Sequence, residues 1–130
     1  MSKQIDKTMP PAEFIDDAYQ GSGKLAGKCA LISGGDSGIG RAVALHYARE
    51  GAKVAIIYHT DADAAEETRK AIESEGTDAL VIQGDVGKSA DCNAAVAKVI
   101  EHWAALDVVV NNAGFQKPFA SLTDISDEDW

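Results

Sequence analysis

Four short apolar runs limit the folds open to this chain more strongly than any other feature. They are Cys29-Ala30-Leu31-Ile32, Val54-Ala55-Ile56-Ile57, Ala79-Leu80-Val81-Ile82 and Val108-Val109-Val110. Each run is continuous rather than alternating in polarity. That pattern is typical of strands covered on both faces, as in a parallel sheet. The runs therefore predict four buried parallel strands.

The segments between the runs have helical periodicity. The predicted inward-facing residues are Ile39, Ala42, Val43, His46 and Tyr47 in the first segment, Ala65, Thr68 and Ile72 in the second, and Cys92, Ala95, Val96, Val99 and Trp103 in the third. Thr60 with Asp63 is predicted to cap the second helix, and Gly76 to end it. Strands alternating with helices predict an α/β fold, a Rossmann-type doubly wound parallel sheet with helices on both faces, truncated after the fourth strand.

A glycine-rich loop follows the first run, and the first helix begins inside it. Residues 33–40 read Ser-Gly-Gly-Asp-Ser-Gly-Ile-Gly. Gly34, Gly38 and Gly40 allow a tight turn and a close approach of backbone N–H groups to a pyrophosphate. The helix N-terminus adds about half a positive charge. The loop therefore predicts a dinucleotide site, while a purely structural turn is the alternative.

The composition narrows the possible partners and the compartment. Twenty-one acidic against twelve basic residues give a formal net charge of -9, which repels nucleic acid and anionic lipid, so neither is expected as a partner. Cys29 and Cys92 are too few for a disulfide scaffold, and no apolar segment is long enough to span a membrane. A cytoplasmic protein is expected. The three histidines, His46, His59 and His102, lack metal-ligand spacing, so no metal is expected.

The spacing Gly34-x-x-x-Gly38-x-Gly40 resembles the TGxxxGxG motif of the short-chain dehydrogenase/reductase family, with Ser33 in place of the threonine. Three further motifs agree with that family: Asp85-Val86 after the third run, Asn111-Asn112-Ala113-Gly114 after the fourth, and Leu25-x-Gly27-Lys28 before the first. The resemblance covers residues 24–130. It implies that residues 28–130 are the N-terminal part of a single NAD(P)-binding domain that continues beyond the given chain.

Residues 1–27 are predicted to form an irregular arm, similar to that of a subgroup with an N-terminal extension. They are polar, contain a Pro-Pro pair and show no sustained periodicity. Phe14 and Tyr19 are expected either to contact a neighbouring subunit or to be disordered.

The resemblance also implies which residues bind the cofactor. Gly34, Gly38 and Gly40 shape the phosphate turn, and Asp36, Ser37 and Ile39 contact the cofactor there. Tyr58 and His59 face the adenosine ribose, Asp85 and Val86 the adenine, and Asn112, Ala113 and Gly114 the ribose on the nicotinamide side.

The end of the second strand bears on the choice of cofactor. Enzymes that use NAD usually have an acid there to bind the ribose 2′-hydroxyl, whereas this chain has Tyr58 followed by His59, a possible donor to a 2′-phosphate. NADP is therefore slightly preferred over NAD. Against NADP, Ser37 stands where relatives often have a basic residue, and Asp36 and Asp61 disfavour a 2′-phosphate.

The resemblance implies an oxidoreductase that transfers hydride between the nicotinamide and an alcohol, aldehyde or ketone. Family members use a Ser-Tyr-Lys set with the spacing YxxxK, yet the residues four positions after the three tyrosines are Gly23, Gly51 and Ala62. No catalytic residue is assigned, and the 130 residues alone are expected to be inactive. The complete protein is expected to be longer and to form a homo-tetramer. The alternatives are a non-catalytic dinucleotide sensor on the same fold and, less favoured by Tyr58, a methyltransferase.

Overall fold

Strands and helices alternate regularly in the computed structural model, which describes residues 14–112. The elements are β1 (Cys29–Ser33), α1 (Gly38–Arg49), β2 (Lys53–Tyr58), α2 (Ala62–Ser74), β3 (Ala79–Gln83), α3 (Ser89–Trp103) and β4 (Val108–Asn111). The strands pair in parallel in the order β3-β2-β1-β4. All four predicted strands and all three predicted helices are thereby confirmed.

Helices cover both faces of the sheet. On one face, β-strand residues such as Ile32 and Ile56 belong to a buried cluster with Leu45 of α1 and Ile72 of α2. On the other face, Leu31, Ala55, Ile57 and Ile82 form a second cluster with Ala95 and Val99 of α3. Neighbouring residues of a strand point to opposite faces, which is why each apolar run is continuous. The Rossmann-type doubly wound fold is confirmed.

The inward face of α1 differs from the predicted one. Its buried residues are Gly40, Ala44, Leu45 and Ala48, whereas Ile39, predicted to face the sheet, is 75% exposed. Three of these four buried residues are glycine or alanine, which allow a close approach of the helix to the sheet, and a pattern drawn from larger side chains does not reveal this. Val43 and Tyr47 lie at the margin of the buried cluster.

The other two helices agree better with the sequence. The α2 stripe of Ala65, Thr68 and Ile72 is buried, as predicted, and Gly76 follows the helix with a φ of 92°. The N-cap is Asp61 rather than Thr60, because the Asp61 carboxylate accepts a hydrogen bond of 3.0 Å from Ala64 N and aspartate is a strong capping residue. In α3, Ala95 and Val99 are buried, whereas Val96 of the predicted stripe is 39% exposed.

The described part of the arm, residues 14–27, packs against this chain's own α1, so the expectation of disorder is wrong for Phe14 and Tyr19, while contact with a neighbouring subunit stays a prediction. The Phe14 ring lies 4.9 Å from Cζ of Arg41. The Tyr19 hydroxyl donates to the Glu50 carboxylate, and its ring lies 5.4 Å from that of His46. Residues 14–27 contain no helix or strand, and charged groups on α1 hold their aromatic side chains.

An ion pair joins the end of α1 to the end of α2. Arg49 Nε and Nη2 donate to the two carboxylate oxygens of Glu75 at 2.9 Å and 2.6 Å, and this bonding lowers the pKa of Glu75. A carboxyl with a lowered pKa stabilises the fold above its unfolded pKa of about 4.3, and the stabilisation is lost as the pH falls through the folded pKa.

We therefore expect Glu75→Gln to be modestly less stable than the wild type at pH 7, with the difference shrinking below about pH 4. Urea unfolding at a series of pH values measures this. Glu67→Gln is the control, because the Glu67 side chain is 70% exposed and its contact with Arg41 is 3.4 Å long. A difference between Glu75→Gln and the wild type that stays constant with pH would contradict the linkage.

Candidate functional site

The carboxyl ends of the four strands form one edge of the sheet, and the predicted site residues gather there. β1 leads into the glycine loop, β2 ends at Tyr58, and Asp85 and Asn112 follow β3 and β4. The direction of strand addition reverses between β1 and β4. In open α/β sheets, ligands bind in the crevice at such a switch point.

The glycine loop lies directly on the first turn of α1. Gly34 and Gly38 have φ values of 69° and 56°, in the left-handed region that glycine adopts easily. Gly34 N donates to Ile57 O at 2.9 Å, which ties the loop to β2. A Cβ built on Gly40 would overlap the Gly34 carbonyl and lie 2.7 Å from Asn112 Nδ2. Position 40 therefore admits glycine alone.

The N-terminus of α1 retains unused hydrogen-bonding capacity. Ser37 is its N-cap but makes no side-chain capping bond, and the first turn contains no acidic residue. The first N–H groups of a helix have no acceptor within the helix and carry partial positive charge. In α2, by contrast, the Asp61 carboxylate fills this role. The loop and the first turn of α1 thus fit an anionic group such as a pyrophosphate.

Asn112 connects β4 to the glycine loop. Its backbone N donates to Ser33 Oγ at 3.0 Å, and its Nδ2 donates to Gly34 O at 3.3 Å. Ser33 Oγ in turn donates to Val110 O at 3.3 Å. Ser33 is thus a structural link that was not among the predicted site residues, although its hydroxyl is the feature it shares with the family motif. Ala113 and Gly114 lie outside the described residues.

Tyr58 ends β2 beside the loop, and His59 follows it. Tyr58 is half-buried and packs against the cluster shared by α1 and α2. His59 is exposed, and its carbonyl accepts a 3.3 Å bond from Gln83 Nε2. Asp61, which follows them, is engaged as the cap of α2.

Asp85 and Val86 form the turn between β3 and α3. Asp85 Oδ1 accepts from Gly87 N at 2.8 Å, and Asp85 N donates to Asp91 Oδ2 at 2.8 Å. Val86 is 39% exposed and lines an open cavity of about 440 Å³ between α3 and the ends of β1 and β4. Leu31, Ile57, Val96 and Val109 line this cavity together with the polar residues Ser33 and Asn111.

Arg41, which was not predicted, also touches the glycine loop. Its Nη2 donates to Asp36 O at 2.7 Å and to Ala64 O at 2.9 Å. The sequence does contain a signal, because a cation in the first turn of a helix opposes the helix dipole and therefore needs another reason to be there.

Other chemically active groups contribute less to this edge. Burial raises the pKa of the Cys29 thiol, so this residue acts as a protonated core side chain. In the part of the chain that the structure describes, no group of three His, Cys, Asp or Glu side chains is arranged to hold a metal ion. Of the helices between residues 14 and 112, none has the length and apolar character needed to cross a membrane.

Fold and site together define a doubly wound α/β domain with a glycine-rich anion-binding site at its switch point. We call this site, which consists of the loop at residues 33–40 and the first turn of α1, the cradle. The family model described as short chain dehydrogenase matches residues 28–130. The chain therefore belongs to the short-chain dehydrogenase/reductase family, as its motifs indicate.

Individual relatives agree with this assignment. General stress protein 39 of Bacillus subtilis is 50% identical over 125 residues, which cover 95% of this chain and 44% of the relative. Glucose and ribitol dehydrogenase of Daucus carota is 40% identical over 125 residues, covering 92% of this chain and 43% of the relative. The chain thus spans less than half the length of these curated relatives.

Solved structures show the same similarity. A short-chain dehydrogenase from Burkholderia cenocepacia in complex with NADP superposes with a TM-score of 0.70 at 41% identity, over 81% of this chain and 42% of that one. A short-chain dehydrogenase/reductase from Serratia marcescens gives a TM-score of 0.68 at 41% identity, over 70% and 37% of the two chains.

Proposed function

We propose that the protein is an NAD(P)-dependent oxidoreductase that interconverts an alcohol with an aldehyde or ketone. The observation that carries this proposal is the cradle at the first helix. Gly40 has no room for a side chain beneath Gly34, and the N-terminus of α1 above it has neither a side-chain cap nor an acid. A backbone site of this kind binds a pyrophosphate without needing a lysine, which suits a chain of net charge -9.

In this proposal, each group of residues at the sheet edge binds a different part of the cofactor. Gly34, Gly38 and Gly40, with Asp36, Ser37 and Ile39, hold the pyrophosphate, Tyr58 and His59 the adenosine ribose, Asp85 and Val86 the adenine, and Asn112, Ala113 and Gly114 the second ribose. Val86 supports the adenine assignment, since its side chain is 39% exposed at the turn after β3 and an apolar side chain suits the face of a base. When bound, the nicotinamide supplies or accepts the hydride.

The proposal assigns the cofactor-binding residues but not the residue that supplies the proton for the reaction. None of Tyr19, Tyr47 and Tyr58 is followed four positions later by a lysine, so no catalytic residue is assigned here. The second candidate is a dinucleotide sensor without activity on the same fold, which the same glycine loop and first turn of α1 would serve.

One experiment separates the two candidates. The protein at its natural length is titrated with NADPH and NADH, followed by nicotinamide fluorescence, and is then assayed with a panel of alcohols, aldehydes and ketones. Binding with turnover supports the oxidoreductase, and binding without turnover supports the sensor. Failure to bind either dinucleotide would refute both.

The proposed preference is for NADP over NAD, and a variant of Tyr58 tests it. No carboxylate ends β2, and His59 is exposed beside it. We expect Tyr58→Asp to weaken NADP binding by about tenfold or more, equivalent to about 1.4 kcal/mol, because the new carboxylate repels the 2′-phosphate. NAD binding should be retained, and the ratio of the two Kd values measures the effect. Tyr58→Phe is the control, because it changes the same residue without adding a charge. Equal NAD and NADP affinities in the wild type would remove the preference.

The complete protein is further proposed to be a cytoplasmic homo-tetramer with a small-molecule substrate, without nucleic acid, membrane or metal partners. The family resemblance and the acidic composition support these assignments. Light scattering of the protein at its natural length tests the oligomeric state.

A further inference from the structure

Arg41 lies where three parts of the chain meet. From the first turn of α1, its guanidinium reaches the glycine loop through Asp36 O and reaches α2 through Ala64 O and, at 2.8 Å, Thr68 Oγ1. On a further side, the ring of Phe14 from the arm lies 4.9 Å from its Cζ. The Arg41 side chain is only 14% exposed.

The chemistry of this contact requires arginine. The planar guanidinium presents several donors in fixed directions, whereas a lysine ammonium is a single compact charge. Nη2 donates to both backbone carbonyls, and Nε donates to the hydroxyl of the fully buried Thr68. Two nitrogens of the guanidinium are therefore used at once. The ion pair with Glu67 contributes less, because that carboxylate is 70% exposed.

The bond to Asp36 O sets the orientation of one peptide group in the loop. The described residues contain no cis peptide bond, and in a trans peptide the C=O and the following N–H point in opposite directions. When Arg41 holds the carbonyl of Asp36, the N–H of Ser37 is fixed pointing away from Arg41. Ser37 is the N-cap of α1 and one of the residues proposed to contact the pyrophosphate.

The arm is fastened at the opposite end of α1. The Glu50 carboxylate, in a residue only 5% exposed, accepts from the Tyr19 hydroxyl and, at 3.0 Å each, from Ser22 N and Lys24 N. Segment 14–24 therefore follows α1 from its C-terminal end to its first turn, where Phe14 covers Arg41.

We propose that Arg41 is a positioning residue for the dinucleotide and that segment 14–24, through Phe14, holds its guanidinium against the glycine loop. This inference rests on the proposed function, because the loop must bind a dinucleotide for its orientation to matter. Arg41 itself acts through the Asp36–Ser37 peptide and does not contact the cofactor.

The test uses the protein at its natural length. NADPH and NADH Kd values, cofactor KM, kcat and urea unfolding are measured for the wild type, Arg41→Met, Arg41→Lys and Phe14→Ala. Arg69→Met is the matched control, since Arg69 is a partly exposed arginine of α2 whose ion pairs go to Glu66 and Glu73 of the same helix.

Arg41→Met is expected to weaken dinucleotide binding about 10- to 100-fold, since charge-assisted hydrogen bonds to the loop and α2 are lost. Its cofactor KM should rise while kcat is largely kept. Arg41→Lys should give a smaller loss, and Phe14→Ala a loss of about two- to fivefold, the size of one cation–π contact. Arg69→Met should keep the wild-type Kd.

The outcomes are distinguishable. A wild type that binds no dinucleotide refutes the proposed function. A wild type that binds, with Arg41→Met binding equally well, refutes the positioning role alone. Phe14→Ala with unchanged Kd refutes the part assigned to the arm. If Arg41→Met fails to fold, Arg41→Lys decides, because a folded lysine variant with wild-type Kd and KM also overturns the role of Arg41.

Discussion

Replacing Gly40 with alanine is expected to abolish dinucleotide binding and to lower the free energy of unfolding by about 3 kcal/mol, as overpacking of a closed site does. The added Cβ would overlap the Gly34 carbonyl and crowd Asn112 Nδ2. Neither neighbour is a free side-chain end, since Gly34 is bonded to β2 through Ile57 O and Asn112 to Ser33. The loop must therefore lift from α1, and the cradle is lost.

Titration with NADPH and urea unfolding measure the two effects of Gly40→Ala. Gly84→Ala is the matched control, because a Cβ there would meet its nearest neighbour, Asp91 Cβ, at an ordinary contact distance of 3.5 Å. The control should change stability by no more than about 1 kcal/mol, the difference between glycine and alanine in propensity and entropy. A Gly40→Ala variant that binds dinucleotide as the wild type does would contradict the cradle.

Glu50→Ala is expected to lower the free energy of unfolding by about 3 kcal/mol, because several donors lose a buried charged acceptor at once. The Tyr19 hydroxyl and the backbone N–H groups of Ser22 and Lys24 all donate to this carboxylate. The loss releases the arm at the C-terminal end of α1. Limited proteolysis should then cut within segment 14–24 faster than in the wild type.

Two variants sharpen the Glu50 test. Glu50→Gln keeps an acceptor oxygen but removes the charge, so its loss of stability should be smaller than that of Glu50→Ala. Glu67→Ala removes a carboxylate that is 70% exposed and should change stability by no more than about 0.5 kcal/mol. If Glu50→Ala were as stable as Glu67→Ala, the carboxylate would not be an anchor.

Sequence reasoning succeeded where a pattern repeats. The four apolar runs specify four parallel strands, and their order with the intervening helices leaves few topologies for the sheet. The predicted burial on both faces holds for β1 and most of β2, whereas Val109 of β4 is 53% exposed. The glycine spacing places the loop correctly, since Gly34 and Gly38 both have positive φ. Asn112 also lies beside the loop, as its motif suggests, whereas the cofactor roles of these residues are still predictions.

Sequence reasoning failed where the deciding interaction is a tertiary one. Ile39 fits a helical stripe, yet the helix turns Gly40 toward the sheet because only glycine allows the loop to close on it. The docking of Phe14 and Tyr19 depends on partners 27 to 31 residues away, Arg41 and Glu50, which periodicity does not connect.

A different signal would have revealed both partners. Arg41 stands at the positive end of α1 and Glu50 at its negative end, so each charge opposes the helix dipole. Residues whose charge is unfavourable for their own helix need contacts outside it. In this chain those contacts are the glycine loop, α2 and the arm.

The bond between Asn112 and Gly34 spans 78 positions in the sequence, and this separation has a consequence for the order of assembly. β1, α1 and β2 are neighbours along the chain and close early, since short loops cost little entropy. The bond from Asn112 to Gly34 forms only when β4 has paired with β1. During N-to-C synthesis, a nascent chain shorter than 112 residues has the glycine loop but lacks Asn112. We therefore expect the ability to bind a dinucleotide to arise late in folding.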